Sequence, residues 1–184
     1  LRADLMNKKM IYLLKKAGTY KINYGFETTS FKLQKSIGKE LNIPKAKKII
    51  NNTSRAGIIT GGYFMVGFPG ETEEDINNTI DFASDSMLDS AYFFKLTPYP
   101  GSPFYSCTQS CNSKESRDFS EYHFYSKSRT HSDFTERELN KFILNAQKKF
   151  YTRPERLLRG LSKAPKKMIY IRNILKLLGV LLVA

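Results

Sequence analysis

The sequence predicts an α/β domain with a parallel sheet, followed by a helical C-terminal extension. Over the first 101 residues, amphipathic helical segments alternate with short apolar runs that end in polar, glycine-containing loops. This alternation is typical of βαβ units in a parallel sheet. The apolar runs are nearly continuous, which predicts strands that are covered on both faces. At 184 residues and 41% hydrophobic content, the chain is able to form a packed core.

The first helix and strand come from a pattern that repeats after 39 residues. Apolar residues at helical spacing predict a helix over 8–17, which Gly18 ends. A β-like run over 20–24 then leads into Gly25-Phe26-Glu27. Residues 1–5 are interpreted as the end of a further strand.

The repeat supplies a second helix and a second strand. Pro44 opens the helix, and Ala56-Gly57 ends it as Ala17-Gly18 ends the first. The β-like run 62–66 leads into Gly67-Phe68-Pro69-Gly70-Glu71.

The third helix and strand follow directly. Thr72 and Asp75 have the spacing of a capping box, so the helix is expected to begin there. A third apolar run over 91–96 predicts the next strand, which ends in the loop 97–101.

The remainder of the chain divides into a loop and a helical part. Residues 102–132 are polar and irregular, which indicates a long loop that crosses the domain. A second capping box, Thr135 and Glu138, opens another helix, and Arg153-Pro154 is expected to end or kink it. Residues 155–184 predict one or two short helices.

The positive charge is concentrated towards the C-terminus. The net charge is +13, and residues 141–176 hold eleven Lys or Arg residues but one acidic residue, Glu155. Such a segment can bind nucleic acid phosphates or anionic lipids. Its apolar end favours a membrane surface over RNA. The plainer alternative is a basic helix that packs on the domain and has a solvated outer face.

Composition excludes two classes of protein. Two cysteines cannot build a disulfide framework, and no apolar stretch reaches the roughly 18 residues of a membrane span. We therefore expect a cytoplasmic protein, with a peripheral position at a membrane as the open alternative.

The distinctive short motifs all fall where the predicted strands end. Glu27, the loop 67–71 and the loop 97–101 are expected at the carboxyl edge of the sheet, where parallel α/β folds place their sites. A carboxylate there can accept hydrogen bonds from sugar hydroxyls, and glycine allows a close approach by a ligand. The alternatives are a tight strand-to-helix turn for 67–71 and a solvated loop carboxylate for Glu27. Tyr63 and Tyr99 either line a cavity or pack in the core.

The two cysteines do not predict a metal site. Cys107 and Cys111 are four residues apart, but Lys114 stands where a third cysteine would follow. Iron–sulfur clusters are normally held by more than two thiolates.

Several longer motifs together resemble a known family. In chain order they are YGFETTS, GYFMVGFPGETEEDINNTIDFA, LTPYPGSPFY and FYTRPERLLRGL. They resemble the second half of a radical SAM barrel, in particular the cobalamin-binding (B12-binding) branch that contains the anaerobic magnesium-protoporphyrin cyclase. The joint occurrence of GFPGET and PYPGSP is fairly specific, whereas GFPGE alone is not.

The resemblance implies a fold and a chemistry. The chain would be the C-terminal half of a partial (β/α)6 TIM-like barrel, with barrel residues 1–105, an irregular loop 106–132 and a basic helical extension 133–184. A 4Fe-4S cluster would bind S-adenosylmethionine, and reductive cleavage would start radical chemistry on an unknown substrate. The three-cysteine cluster loop, the cobalamin domain and the rest of the barrel are expected upstream of residue 1. These 184 residues alone are expected to be inactive.

The resemblance also implies roles for individual residues. Glu27 matches the acidic residue after the fourth strand, which contacts the ribose of the cofactor. The other implied residues are those of the loop along the cofactor (Gly67, Pro69, Gly70 and Glu71), a basic residue of the third strand (Arg2) and two that face substrate (Thr97 and Tyr99).

Overall fold

The structure, a computed structural model, describes residues 1–99, 102 and 132–183. Its sheet has three parallel strands in the order β1-β2-β3. The strands are β1 (Lys21–Glu27), β2 (Ile59–Val66) and β3 (Ser90–Lys95). The predicted α/β class with a parallel sheet is therefore confirmed. The count of a (β/α)6 barrel stays a prediction, as does the division at residues 105 and 132.

Seven α-helices accompany the sheet in the described part of the chain. Both predicted capping boxes are present, with Thr72 paired to Asp75 and Thr135 paired to Glu138. The helices are α1 (Lys8–Lys16), α2 (Phe31–Ser36), α3 (Ile43–Arg55), α4 (Glu73–Asp85), α5 (Glu136–Tyr151), α6 (Pro154–Lys163) and α7 (Lys167–Val183).

The prediction of strands covered on both faces is wrong. Burial alternates along β1 and β3, so one face of the sheet is packed and the other is partly open. On the packed face, Phe64 stacks between Phe26 and Phe93, with ring centroids 5.3 and 5.1 Å away. Apolar and aromatic residues such as Tyr63 also lie on the opposite face of the sheet. For this reason the apolar runs are nearly continuous in the sequence. We call this second side the open face; it carries Lys21, Asn23, Tyr63, Tyr92 and Phe94.

The N-terminal residues only begin as the predicted strand. The Leu1 amino group donates to the Asn23 carbonyl (2.9 Å), and the Gly25 N–H donates to the Leu1 carbonyl (3.2 Å). Leu1 thus lies along the outer edge of β1 as a parallel neighbour would. Ala3–Leu5 then form a 3-10 helix, so the extended conformation expected over 1–5 is wrong for these three residues.

The part of the basic extension that forms α6 packs against the rest of the domain. The Arg156 side chain is 3% exposed and donates hydrogen bonds to the carbonyls of Leu88 and Phe150, among others. Asp89, directly before β3, accepts from both Arg159 (3.0 Å) and Lys163 (2.8 Å). The plainer alternative, a basic helix packed on the domain, is therefore the arrangement found for α6. No helix among the described residues is long and apolar enough to cross a bilayer.

Candidate functional site

The carboxyl edge of the sheet gathers the predicted site residues from three strands. Glu27 ends β1, the loop 67–71 follows β2, and Thr97 and Tyr99 follow β3. Because β2 is the central strand, its loop lies between the other two strand ends. This is the edge at which parallel sheets bind ligands.

Glu27 has an unusual backbone that turns its carboxylate onto the open face. Its φ is +63°, and the register with β2 shifts between Gly25 and Glu27. A non-glycine residue held in this region costs about 1–3 kcal/mol. The carboxylate lies over Gly25, where a Cβ atom would come within 2.8 Å of Glu27 Oε1. The solvated loop carboxylate that the sequence left open is therefore not what the structure contains.

One oxygen of this carboxylate is engaged and the other is available. Lys39 Nζ donates to Glu27 Oε1 at 2.8 Å, and the Glu27 side chain is 23% exposed. No described residue donates to Oε2. The arrangement is an oriented anionic acceptor that can receive hydrogen bonds from a hydroxyl-bearing ligand.

The loop after β2 is held from inside by Glu71. Its Oε2 accepts from the backbone N–H groups of Gly67 (2.6 Å) and Phe68 (3.1 Å), while the residue is 2% exposed. Gly67 and Gly70 have φ values of +93° and +66°, which glycine adopts without steric cost. The loop is the tight strand-to-helix turn that the sequence allowed as an alternative, and α4 begins directly after it. Its contact with a cofactor stays a prediction, with Pro69 and Gly70 as its exposed members.

The burial of Glu71 makes the stability of the loop dependent on pH. Burial raises the pKa of Glu71 from 4.5 to about 7, against the two N–H donors that lower it. The folded state therefore keeps the proton over a pH range in which the unfolded chain has lost it. Stability from this group is full below pH 4.5 and is lost as the pH rises to about 7.

Glu71→Gln is expected to remove this dependence, because glutamine keeps an acceptor oxygen and does not ionise. Between pH 5 and 8, the unfolding free energy of the unmodified protein should fall relative to the variant by about 2–3 kcal/mol. Urea unfolding at both pH values measures this difference. Glu73→Gln, an exposed carboxylate two residues later, is the matched control and should follow the unmodified protein. Parallel pH profiles for the unmodified protein and Glu71→Gln would contradict the assignment.

The other predicted residues, Arg2, Thr97 and Tyr99, have different surroundings. Arg2 pairs with Asp4 through two hydrogen bonds of 2.9 and 3.2 Å. The Thr97 hydroxyl oxygen is buried and has no hydrogen-bond partner among the described residues. Tyr99 is 40% exposed. Their roles towards cofactor and substrate stay predictions.

The open face adds an aromatic and polar surface next to this edge. The Tyr63 ring lies 5.2 Å from that of Tyr92 and 6.1 Å from that of Phe94. Asn23 Nδ2 donates to the Tyr63 hydroxyl (3.0 Å), and Lys21 Nζ donates to that of Tyr92 (3.3 Å). Tyr63, 37% exposed, therefore lines a surface and does not pack in the core.

Sequence reasoning missed α2 and the residues that it positions. Buried Gln34 donates through Nε2 to the Thr28 carbonyl (2.5 Å) and accepts from the Leu41 N–H, and so ties the segment after α2 to the end of β1. The available signals were Leu33 and Ile37 at helical spacing and Gly38 beyond them. The polar run after Glu27 obscured them.

The described part of the chain contains no cluster of metal ligands. Among the described residues, no group of three or more His, Cys, Asp or Glu side chains could hold a metal ion. Cys107 and Cys111 lie outside the described residues, as do Pro100 and Gly101.

Comparison with protein families gives a match to the N-terminal part of the chain. Residues 2–83, which include Glu27 and the loop 67–71, match the model of the radical SAM superfamily. The family implies S-adenosylmethionine and a 4Fe-4S cluster as cofactors, and the sequence resemblance to it is confirmed.

Curated relatives extend the similarity into the C-terminal part. An uncharacterized methyltransferase of Pyrococcus horikoshii is 27% identical over 87% of this chain and 35% of its own length. The anaerobic magnesium-protoporphyrin IX monomethyl ester cyclase of Rubrivivax gelatinosus is 27% identical over 94% of this chain and 31% of its own length. A tRNA-2-methylthio-N(6)-dimethylallyladenosine synthase of Ehrlichia chaffeensis is 33% identical over 45% of this chain and 19% of its own length. The chain thus spans about a third or less of the length of these relatives.

Proposed function

We propose that this chain is the cofactor-binding part of a radical SAM enzyme, and that Glu27 receives the ribose hydroxyls of S-adenosylmethionine. The observation that carries the proposal is the oriented carboxylate of Glu27, with Oε1 held by Lys39 and Oε2 available, at the carboxyl edge of a radical SAM sheet. A carboxylate at this edge is a suitable acceptor for a vicinal diol.

The described residues fit the nucleoside part of the cofactor. Gly25 leaves space for the carboxylate on the open face, and Gly67 lets the backbone turn sharply after β2. The unpartnered hydroxyl of Thr97 supplies a further polar group after β3. Gly67, Pro69, Gly70 and Glu71 are proposed to form the loop along the cofactor, with Glu71 acting from within the loop.

The cluster requires residues beyond those described. When bound, a 4Fe-4S cluster would supply the electron for reductive cleavage of S-adenosylmethionine. The described residues include no cysteine, so they contribute no thiolate ligands to the cluster. We propose the three-cysteine loop expected upstream of residue 1 as their source.

Because the names of the relatives describe different reactions, we propose a place for the substrate but not its identity. Their names describe a methyltransferase, a cyclase of a magnesium-protoporphyrin ester and a tRNA methylthio synthase. The open face, with Tyr63, Tyr92 and Phe94, is the surface that a substrate would meet beside the cofactor. A bound cobalamin is a further proposal that rests on the sequence resemblance.

The test uses the intact gene product, reconstituted with iron and sulfide without oxygen. After reduction with dithionite, it should convert S-adenosylmethionine to 5′-deoxyadenosine and methionine, measured by liquid chromatography and mass spectrometry. Glu27→Gln should weaken binding of S-adenosylmethionine by about 10-fold or more, because a hydrogen bond to a charged acceptor is lost. Glu74→Gln, an exposed carboxylate of α4, should leave binding unchanged. A reconstituted protein that forms no 5′-deoxyadenosine would refute the proposed function.

A further inference from the structure

We propose that Lys39 is a positioning residue that orients Glu27 for the cofactor before the cofactor binds. The inference rests on the proposed function and adds a residue to which neither the family match nor the sequence motifs assign a role. Lys39 belongs to the segment that follows α2, twelve residues after Glu27.

The contact between the two side chains is close and sheltered. Lys39 Nζ lies 2.8 Å from Glu27 Oε1, and the side chains are 16% and 23% exposed. Both lie over Gly25, where a Cβ atom would come within 2.8 Å of the carboxylate oxygen and 3.3 Å of the ammonium nitrogen. The missing side chain at Gly25 therefore creates the space in which the pair sits.

The backbone on both sides of the pair is fixed. Glu27 and Glu40 are the two non-glycine residues with positive φ in the described part of the chain, at +63° and +42°. Glu27 is one partner of the ion pair, and Glu40 directly follows the other partner, Lys39. The Lys39 N–H donates to the Gln34 carbonyl (3.0 Å), while the Gln34 side chain bonds to the backbone of Leu41. Unfavourable backbone conformations persist where the surrounding structure imposes them, and they concentrate at functional sites.

The geometry favours positioning over a simple contribution to stability. A carboxylate without Lys39 would rotate among several conformers on the sheet surface, and a ligand would have to immobilise it. With Oε1 held, Oε2 keeps one direction relative to β1. Such preorganisation lowers the entropic cost of binding and corresponds to about a three- to tenfold gain in affinity for one side chain.

The experiment measures selectivity for the ribose, which a merely structural role would not change. Dissociation constants for S-adenosylhomocysteine and for its 2′-deoxy and 3′-deoxy analogues are determined by calorimetry on the reconstituted intact protein. Lys39→Met should weaken binding of the parent ligand about three- to tenfold and that of the deoxy analogues much less. Lys39→Arg should retain most of the selectivity. In a Glu27→Gln background, Lys39→Met should have no further effect, because Lys39 acts through Glu27.

Two more variants keep the test independent of folding defects. Gly25→Ala places a methyl group 2.8 Å from Glu27 Oε1, so it should displace the carboxylate and cause the same selective loss. Lys35→Met removes an exposed lysine of α2 and should change neither ligand.

Equal weakening of all ligands by Lys39→Met, or full additivity with Glu27→Gln, would overturn the role of Lys39. Cleavage of S-adenosylmethionine by the unmodified protein would then still support the proposed function. If the unmodified protein binds neither S-adenosylmethionine nor S-adenosylhomocysteine, the proposed function fails, and the role of Lys39 fails with it.

Discussion

Replacing Asp89 with asparagine is expected to lower the free energy of unfolding by about 3–5 kcal/mol. The Asp89 side chain is 2% exposed and receives Arg159 Nε at 3.0 Å and Lys163 Nζ at 2.8 Å. It also accepts from the Thr60 N–H at 2.8 Å. An asparagine of the same shape would leave two cations beside a neutral amide whose NH₂ group points at a donor. Burial already lowers the pKa of Lys163, so its ammonium group is poorly solvated without the carboxylate.

Asp85→Asn is the matched control, since Asp85 also pairs with an arginine of the C-terminal part. The Arg153–Asp85 contact is 2.8 Å long, but the two side chains are 40% and 57% exposed. Water screens such a pair, so its loss should change stability by about 1 kcal/mol or less. Chemical denaturation of both variants at pH 7 makes the comparison. Equal effects would show that Asp89 does not anchor α6.

The contacts of Asp89 show which interactions the sequence could predict and which it could not. Capping boxes such as Thr72 with Asp75 depend on residues three positions apart, and both were predicted correctly. The contact of Asp89 with Lys163 joins residues 74 positions apart, and no local pattern specifies it. A cluster of lysine and arginine residues has the same sequence pattern whether it faces solvent or a buried carboxylate. The sequence is therefore compatible both with α6 packed on the domain and with α6 exposed to solvent, and it does not decide between the two.

The candidate site shows the same division. Glu27 and the loop 67–71 were located correctly at the carboxyl edge because parallel strands bring their ends together. Lys39 could not be found, since its approach to Glu27 depends on the short helix α2 and on two left-handed residues. The inward direction of Glu71 also escaped prediction, because a motif gives the position of a carboxylate in the chain and not the side to which it turns.

The second large effect is expected at Arg156, the most deeply buried arginine of the described residues. Its guanidinium group donates to carbonyls at the ends of two helices, and its central carbon lies 3.5 Å from the centroid of the Phe150 ring. Burial lowers the pKa of Arg156 to about 10, so the group is still charged at neutral pH. The acceptors are the carbonyl oxygens of Ser84, Ser86, Leu88 and Phe150.

Arg156→Leu is expected to destabilise the protein by about 3–5 kcal/mol, because several buried carbonyls lose their donor together. The ends of α4 and α5 also lose a cation that complements their helix dipoles. Arg156→Lys keeps the charge, but a single ammonium group cannot reach all of the carbonyls that the planar guanidinium group contacts. We therefore expect a loss of stability that is intermediate between none and that of Arg156→Leu. The exposed Arg172→Leu should change stability by less than about 0.5 kcal/mol.

Thermal unfolding ranks the three variants, and limited proteolysis reports where the structure opens. Because Arg156 joins α6 to the segment before β3, cleavage in Arg156→Leu should increase first between α5 and α7. If Arg156→Lys proves as stable as the unmodified protein, charge alone would hold the extension. If Arg156→Leu proves as stable, the extension would be held by apolar contacts such as those of Phe150 with the core, and the hydrogen bonds of the guanidinium group would contribute little.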